Sequence, residues 1–318
     1  MTPGQATRTI RAIKRCFVQF DHVKAVHERL RELSQFECGV DEPDMVLIVG
    51  DPGVGKSRLL QRFVDDFPRV EHETWTEVPV LSVLVPAKCS LSRLPGAMLQ
   101  ALGSPLWNKG NEEARTYQLE TLLVKCRVRL VILVEVNHLI DRGKERSHYL
   151  LADWIKLLSE RTRIPFALAG IDRARVLLRV NEQLADRVRE VIQIEPFGVG
   201  ERCRNQMGDA LAAFNGLLGD IDRISLEDDS TARMFTFATA GRLRKVRQLL
   251  VRSVEIAAKQ PKPRIDHAVL AEAFRTAVFK DAPDVRNPFV AAKFDGLPLN
   301  RPGEPYHPRR QTAEEVDA

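Results

Sequence analysis

The chain has 318 residues, 44% of them hydrophobic and 29% charged, with a formal net charge of +5. This length accommodates one large domain and a smaller one, and the composition excludes wholesale disorder. Apolar runs such as 130–134 are too short to span a bilayer, and five scattered cysteines without a CxxC pair indicate neither a disulfide framework nor a zinc site.

Residues 7–35 form a basic lead-in with Val23, Val26, His27 and Leu30 at helical spacing. Its basic side chains gather at Arg8, Arg11, Lys14 and Arg15. Cys38 to Asp44, with Gly39 and Pro43, reads as a loop. The run Met45-Val46-Leu47-Ile48-Val49 ends in glycine and predicts a buried strand feeding a tight turn. A helix over 57–67, closed by Pro68, follows it. The next expected elements are a strand at 78–85, a helix at 91–102 interrupted early by Pro95, a helix at 118–125 and a strand at 130–135. An amphipathic helix at 148–161 precedes two strands at 165–169 and 191–194. Strands alternating with helices imply a parallel sheet with crossover connections.

The pattern changes at Pro196. From 201 to 279 it is helical with no strand candidate, predicting a small α-helical second domain. The tail from about 284, with its prolines, glycines and charged end, is expected to be extended or disordered. The expected division is therefore a lead-in over 1–40, an α/β core over 41–197, a helical lid over 198–283 and a tail over 284–318. The basic start has no apolar segment behind it, so no secretory signal is expected and a reducing cytoplasm fits best.

The strongest local pattern is G-x-x-x-x-G-K-[ST] at Gly50-Asp51-Pro52-Gly53-Val54-Gly55-Lys56-Ser57. Its glycines let backbone N–H groups turn inward around phosphate oxygens. Lys56 supplies a charge to the β- and γ-phosphates, and Ser57 a hydroxyl ligand for Mg²⁺. The helix opening there aims its N-terminal dipole at the anion. Because the pattern follows an expected strand and opens an expected helix, it marks a site for ATP and Mg²⁺.

A second pattern is the apolar strand Leu130-Val131-Ile132-Leu133-Val134 ending in Glu135. In P-loop ATPases such a strand carries a magnesium-side Asp and often a Glu that polarises the attacking water. Here Val134 precedes Glu135, which leaves two registers. Either Glu135 activates water and the metal-side acid is missing, or Glu135 takes the metal role itself. A solvent-facing strand end is the bland alternative.

Other positions carry weaker signals. Arg187 is either an arginine finger for a neighbouring subunit's γ-phosphate or a surface arginine beside Arg189. Asp172, after the fourth strand, is more often a helix cap than a phosphate sensor. From 242 to 252 there are five basic residues and no acid. Leu243, Val246, Leu249 and Leu250 set the apolar face there, and Arg242, Arg244, Lys245 and Arg247 face elsewhere. That basic stripe is a solvated face, a DNA-phosphate contact, or the source of one arginine for the nucleotide. His138 reads as structural.

In this order the motifs resemble the TniB family of AAA+ transposition ATPases, related to the TnsC proteins of Tn7-like elements. The likeness covers roughly residues 17–290. Besides the P-loop it rests on Val80-Leu81-Ser82-Val83 ending in Pro86, on Glu135-Val136-Asn137-His138-Leu139 and on Arg163-Ile164-Pro165-Phe166-Ala167-Leu168-Ala169-Gly170. Gln183-Leu184-Ala185-Asp186-Arg187 and Asn287-Pro288-Phe289 complete it.

The resemblance implies a P-loop AAA+ domain with a five-stranded parallel sheet and a helical lid. It makes Lys56 and Ser57 nucleotide-binding, Glu135 the hydrolytic acid and Arg187 an arginine finger. It further implies ATP-regulated assembly into a homo-oligomer on double-stranded DNA, through the DNA backbone, and recruitment or activation of a transposase. Two departures stand out: Val134 replaces the family's Asp, and Ile171 a residue that is often polar. A helicase loader of the same fold and a nucleotide-binding scaffold with little hydrolysis are the alternatives.

Overall fold

The computed structural model describes residues 2–35, 42–141, 145–198 and 201–307, without the side chains of 201–205. The start of the expected loop at 38–44 and the tail beyond 307 lie outside them. The chain divides into two compact units. One, comprising 21–51 and 56–194, contains the main sheet; the other, comprising 1–20, 52–55 and 195–318, is mainly helical. The lead-in comprises two helices. Helix α1 (Pro3–Arg15) ends at Cys16, whose ψ of 130° is not helical, and belongs to the helical unit. Helix α2 (Asp21–Ser34) belongs to the sheet unit.

The sheet unit is built on five parallel strands: β1 (Met45–Gly50), β2 (Val80–Leu84), β3 (Leu130–Val134), β4 (Phe166–Gly170) and β5 (Val188–Ile194). Their spatial order is β2-β3-β4-β1-β5. β1 lies between β4 and β5, Met45 opposite Phe166 and Gly50 opposite Ile194, and all six of its residues are buried. A strand covered on both faces needs a continuous apolar run, and Met45 to Val49 provides one. Leaving β1, the chain passes through α3 (Lys56–Asp65) to β2 at the far edge, then returns strand by strand to β4. The strand order reverses at β1, and in open α/β sheets ligands bind at the carboxyl ends of strands near such a reversal.

The helices of this unit follow their apolar faces. In α4 (Arg93–Leu102) Pro95 falls within the first turn and does not interrupt it, because no N–H is required there. Helix α5 (Glu112–Lys125) starts six residues before the expected boundary. Asn111 caps it by accepting from Ala114 N at 2.9 Å. Its polar first turns, Glu112 to Tyr117, carry no apolar period from which a helix is read. Helix α6 (Glu145–Thr162) buries Leu151, Ile155 and Leu158 with Leu119 and Leu123 of α5 in the same core as Leu133 and Leu168. Each such side chain contributes about 2 kcal/mol relative to exposure. Short helices α7 (Val176–Val180) and α8 (Glu182–Arg187) lead into β5. An antiparallel pair, Val70–Glu71 with Thr76–Glu77, was not legible in the sequence. Its turn stacks His72 on Trp75 at 4.1 Å, with Arg127 over the same indole.

The helical unit contains α9 (Glu201–Asn215), α10 (Asp229–Thr239), α11 (Leu243–Ala257) and α12 (His267–Ala277). Against the expectation of no strands, Asp222–Arg223 pairs in parallel with Arg264–Ile265. Gly241 turns the chain from α10 into α11 at a φ of 67°, and a Cβ there would lie 1.8 Å from the Phe197 carbonyl oxygen. Only glycine fits.

The tail differs from the expectation of a loose segment. Arg286 is 6% exposed and donates to Glu304 and Asp295. The Asn287 amide donates to Ala271 O, and Phe289 packs edge-on against Phe235. Tyr306 donates to Ala238 O and lies under the Arg242 guanidinium. Proline and glycine indicated the absence of regular structure, and these side chains supply the packing that replaces it.

Candidate functional site: the P-loop and the end of β3

The P-loop leaves β1 at Gly50 and enters α3 at Lys56. Gly53 and Gly55 have φ of 91° and 115°, where an L side chain is strained, so the loop turns through a backbone conformation that glycine alone adopts freely. The Lys56 ammonium is buried and donates to Gly50 O at 2.5 Å and Asp51 O at 3.1 Å. These carbonyls hold the charge over the loop, where a phosphate oxygen would compete for it. Ser57 is exposed in the first turn of α3.

A cleft of about 680 Å³ opens within the sheet unit, lined by Ser57, Leu60, Gln61, Ser82, Val134 and Glu135 among others. Val134 and Glu135 therefore face the same space as the P-loop hydroxyl. Val134 ends β3 in register with Ala169, and Glu135 follows with φ 61° and ψ 45°. A left-handed conformation at a non-glycine residue costs on the order of 1 kcal/mol and needs a surrounding structure to hold it. The 3-10 turn Val136–Leu139 supplies that structure. Asn137, buried, accepts from Ile171 N at 3.4 Å, and His138 Nδ1 donates to Val85 O at 2.9 Å. His138 is structural, as its position after the strand indicated.

Asn137 is the polar residue that the sequence reading left without a role. It brings a side-chain amide to the end of β4, beside Ile171, where the family pattern often has a polar residue. Its signal was a buried polar type directly after an apolar strand. Asp172 neither caps a helix nor faces the cleft: Ile171 holds the capping position, and the exposed Asp172 carboxylate pairs with Arg175 at 2.8 Å.

The sequence model of the bacterial TniB protein family matches residues 9–197, more than half of the chain. The chain belongs to the TniB family. Among curated proteins no relative matches the sequence. Of solved structures, Cdc6p from Pyrobaculum aerophilum is similar at a TM-score of 0.65 and 15% identity, covering 86% of this chain and 72% of that one. The ORC2 protein of Aeropyrum pernix gives 0.61 and 17%, with the same coverage. The ORC1 protein of that organism, solved in complex with DNA, gives 0.55 and 16%, covering 80% of this chain and 65% of that one. At such identities the likeness concerns the fold, which is the P-loop AAA+ fold.

The other candidate residues of this TniB protein are dispersed by the structure. Arg187, at the end of α8, pairs with Glu160 at 2.8 Å and with Glu42, all within the sheet unit. Of the four basic candidates around the start of α11, the side chains of Arg242 and Arg247 are engaged within the helical unit, and Arg244 is tied there by its backbone. Arg244 N donates to Gly53 O at 3.0 Å, so α11 begins on the tip of the P-loop, and Arg242 stacks on Tyr306. Arg247 donates to Ile13 O and Cys16 O at the end of α1. Burial, and then the neighbouring Arg242 and Arg244, depress the Lys245 pKa.

Proposed function

We propose that this TniB-family protein is an ATP-regulated DNA-binding AAA+ switch of a mobile element, which assembles on duplex DNA and recruits or activates a transposase. The observation that carries the nucleotide half is the loop around Lys56, with Gly53 and Gly55 in left-handed conformations and the ammonium held on two loop carbonyls. The loop's residues fit a nucleoside triphosphate: Gly53, Val54 and Gly55 offer backbone N–H groups, Lys56 a charge and Ser57 a hydroxyl for Mg²⁺. Magnesium, when bound, neutralises charge developing on the phosphates. Glu135 lines the same cleft as Ser57, as does Asp65, and as the acid at the end of β3 it either orients water or supports the metal. The family supports the transposition half, and the fold neighbour solved with DNA is consistent with DNA binding.

Arg187 as an arginine finger requires exchange of Glu160 and Glu42 for a neighbour's nucleotide, which couples that role to assembly. The second reading, a scaffold that binds ATP and turns it over little, is favoured by Val134, an apolar side chain lining the cleft beside Glu135. A valine has no group to hold metal-bound water.

The test is ATP turnover by purified protein with and without duplex DNA, alongside Lys56→Ala. Turnover stimulated by DNA and abolished in Lys56→Ala supports the switch. Binding and assembly without turnover supports the scaffold, and Val134→Asp should then raise the rate. Absence of ATP binding overturns both readings.

A further inference from the structure

Helix α1 has a basic series that the nucleotide site does not use. Its sequence, Pro3 to Arg15, contains no acid. Ala6 and Ile13 are buried, and α1 packs on α11 within the helical unit. Arg8, Arg11 and Arg15 follow at i, i+3 and i+7, which at 100° per residue places them on one stripe opposite the buried pair. All three are exposed, and no acidic side chain lies within ion-pair distance of them among the described residues. Basic residues in a last turn complement the helix dipole, which accounts for Lys14 and Arg15. It does not account for Arg8 and Arg11, which lie further toward the N-terminus.

The stripe is held rigidly. Thr2 and Gln5 close a capping box at the N-terminus, and Arg247 donates to Ile13 O and Cys16 O at the other end. Three exposed arginines spaced over about 10 Å of helix axis, without an acidic partner among the described residues, match the scale of neighbouring backbone phosphates of a nucleic acid strand. A membrane surface fits poorly, because an interfacial helix inserts an apolar face, and the apolar face of α1 is already packed on α11.

We infer that the outward face of α1, carried by Arg8, Arg11 and Arg15, is the surface that contacts the duplex DNA backbone. This rests on the proposed DNA-binding function and moves its contact from α11 to α1. The contact is to phosphates, so it carries no base sequence of its own.

The experiment measures fluorescence anisotropy of a labelled mixed-sequence 30-base-pair duplex. Full-length protein with a non-hydrolysable ATP analogue is compared with Arg8→Gln/Arg11→Gln/Arg15→Gln over a range of salt concentrations. The expected result is at least about a tenfold loss of affinity near 0.1 M salt and a log–log salt slope shallower by about 0.9 per lost contact, with nucleotide affinity unchanged. The matching arginine-to-lysine variant should retain most of the affinity, since a backbone phosphate accepts either cation. If wild type binds and the glutamine variant binds with equal affinity and slope, the inference is overturned while DNA binding stands. If wild type itself does not bind the duplex at low salt, the functional reading fails and the inference fails with it. If the triple variant does not fold, Arg8→Gln and Arg11→Gln singly decide, each expected to reduce the slope by about 0.9. Loss of binding to anionic vesicles, with duplex binding intact, also overturns the inference.

Discussion

Helices α1 and α11 are both rich in arginine, and they use it differently. Around α11 three guanidinium groups are engaged within the helical unit: Arg242 on Tyr306, Arg247 on two carbonyls of α1, and Arg252 on Glu255 and Thr276, whereas Arg244 is exposed and meets Gly53 through its backbone N–H. Along α1 Arg8, Arg11 and Arg15 are exposed, with no acidic partner among the described residues. In sequence both stripes stood out as basic, and only the one at 242–252 was read as a possible contact to DNA phosphates. The comparison teaches that charge density identifies a basic helix but not its partner. Whether a cation is available depends on what the fold places within about 4 Å of it.

Substitutions in the frame that holds α11 should have the largest effect. Gly241→Ala places a Cβ against Phe197 O and forces a strained φ, so a loss of about 4 kcal/mol is expected in urea unfolding. A neutral result would mean that the turn before α11 is adaptable and the comparison weaker.

Glu304 comes next. Removing it leaves Arg286 buried with part of its partnership, so Glu304→Ala should cost about 3 kcal/mol. The hydrogen bond from Arg286, acting against burial, holds the Glu304 carboxyl below its ordinary range. A depressed folded pKa means that its stabilisation is present above the unfolded carboxylate range and lost as pH falls through the folded value. The difference in thermal midpoint between wild type and Glu304→Gln should therefore be full near neutral pH and shrink in acid. A difference that grows in acid would show that the ion pair is not what holds the tail.

Arg247→Ala should destabilise by about 2 kcal/mol, as charge-assisted bonds to two carbonyls are lost, and amide exchange should rise in the last turn of α1. Smallest of all, Arg11→Gln should change stability by less than about 0.5 kcal/mol, as expected for an exposed side chain with no partner. A large loss there would place Arg11 in the frame beside Arg247 and erase the distinction between the two helices.

Much of the P-loop end of the sheet was legible because its signals are local. The apolar run 45–49, the glycines at 53 and 55 and Lys56 impose a strand, a turn and a helix start within twelve residues. The five strands were found in the right sequence order, with boundaries off by up to three residues, as at Val188. The tail was not legible. Arg286 and Glu304 are eighteen residues apart in a segment without period, and nothing in composition says that they pair. Helix α5 was half missed because Glu112 to Tyr117 is exposed and polar, so its helical state rests on Asn111's cap rather than on an apolar face.

The sequence by itself determined the α/β sheet and the nucleotide loop, since buried strands and phosphate-binding turns each require particular residue types at short spacing. Only the tertiary structure decided the strand order and the setting of Val134 and Glu135 beside Ser57. It also decided which arginines are spent on Tyr306, a carboxylate or a carbonyl, and which remain exposed. The physical reason is range. Backbone conformation and amphipathic period are set by neighbours within a few residues, whereas the desolvation and pairing of a charge are set by groups that meet only after the chain has folded.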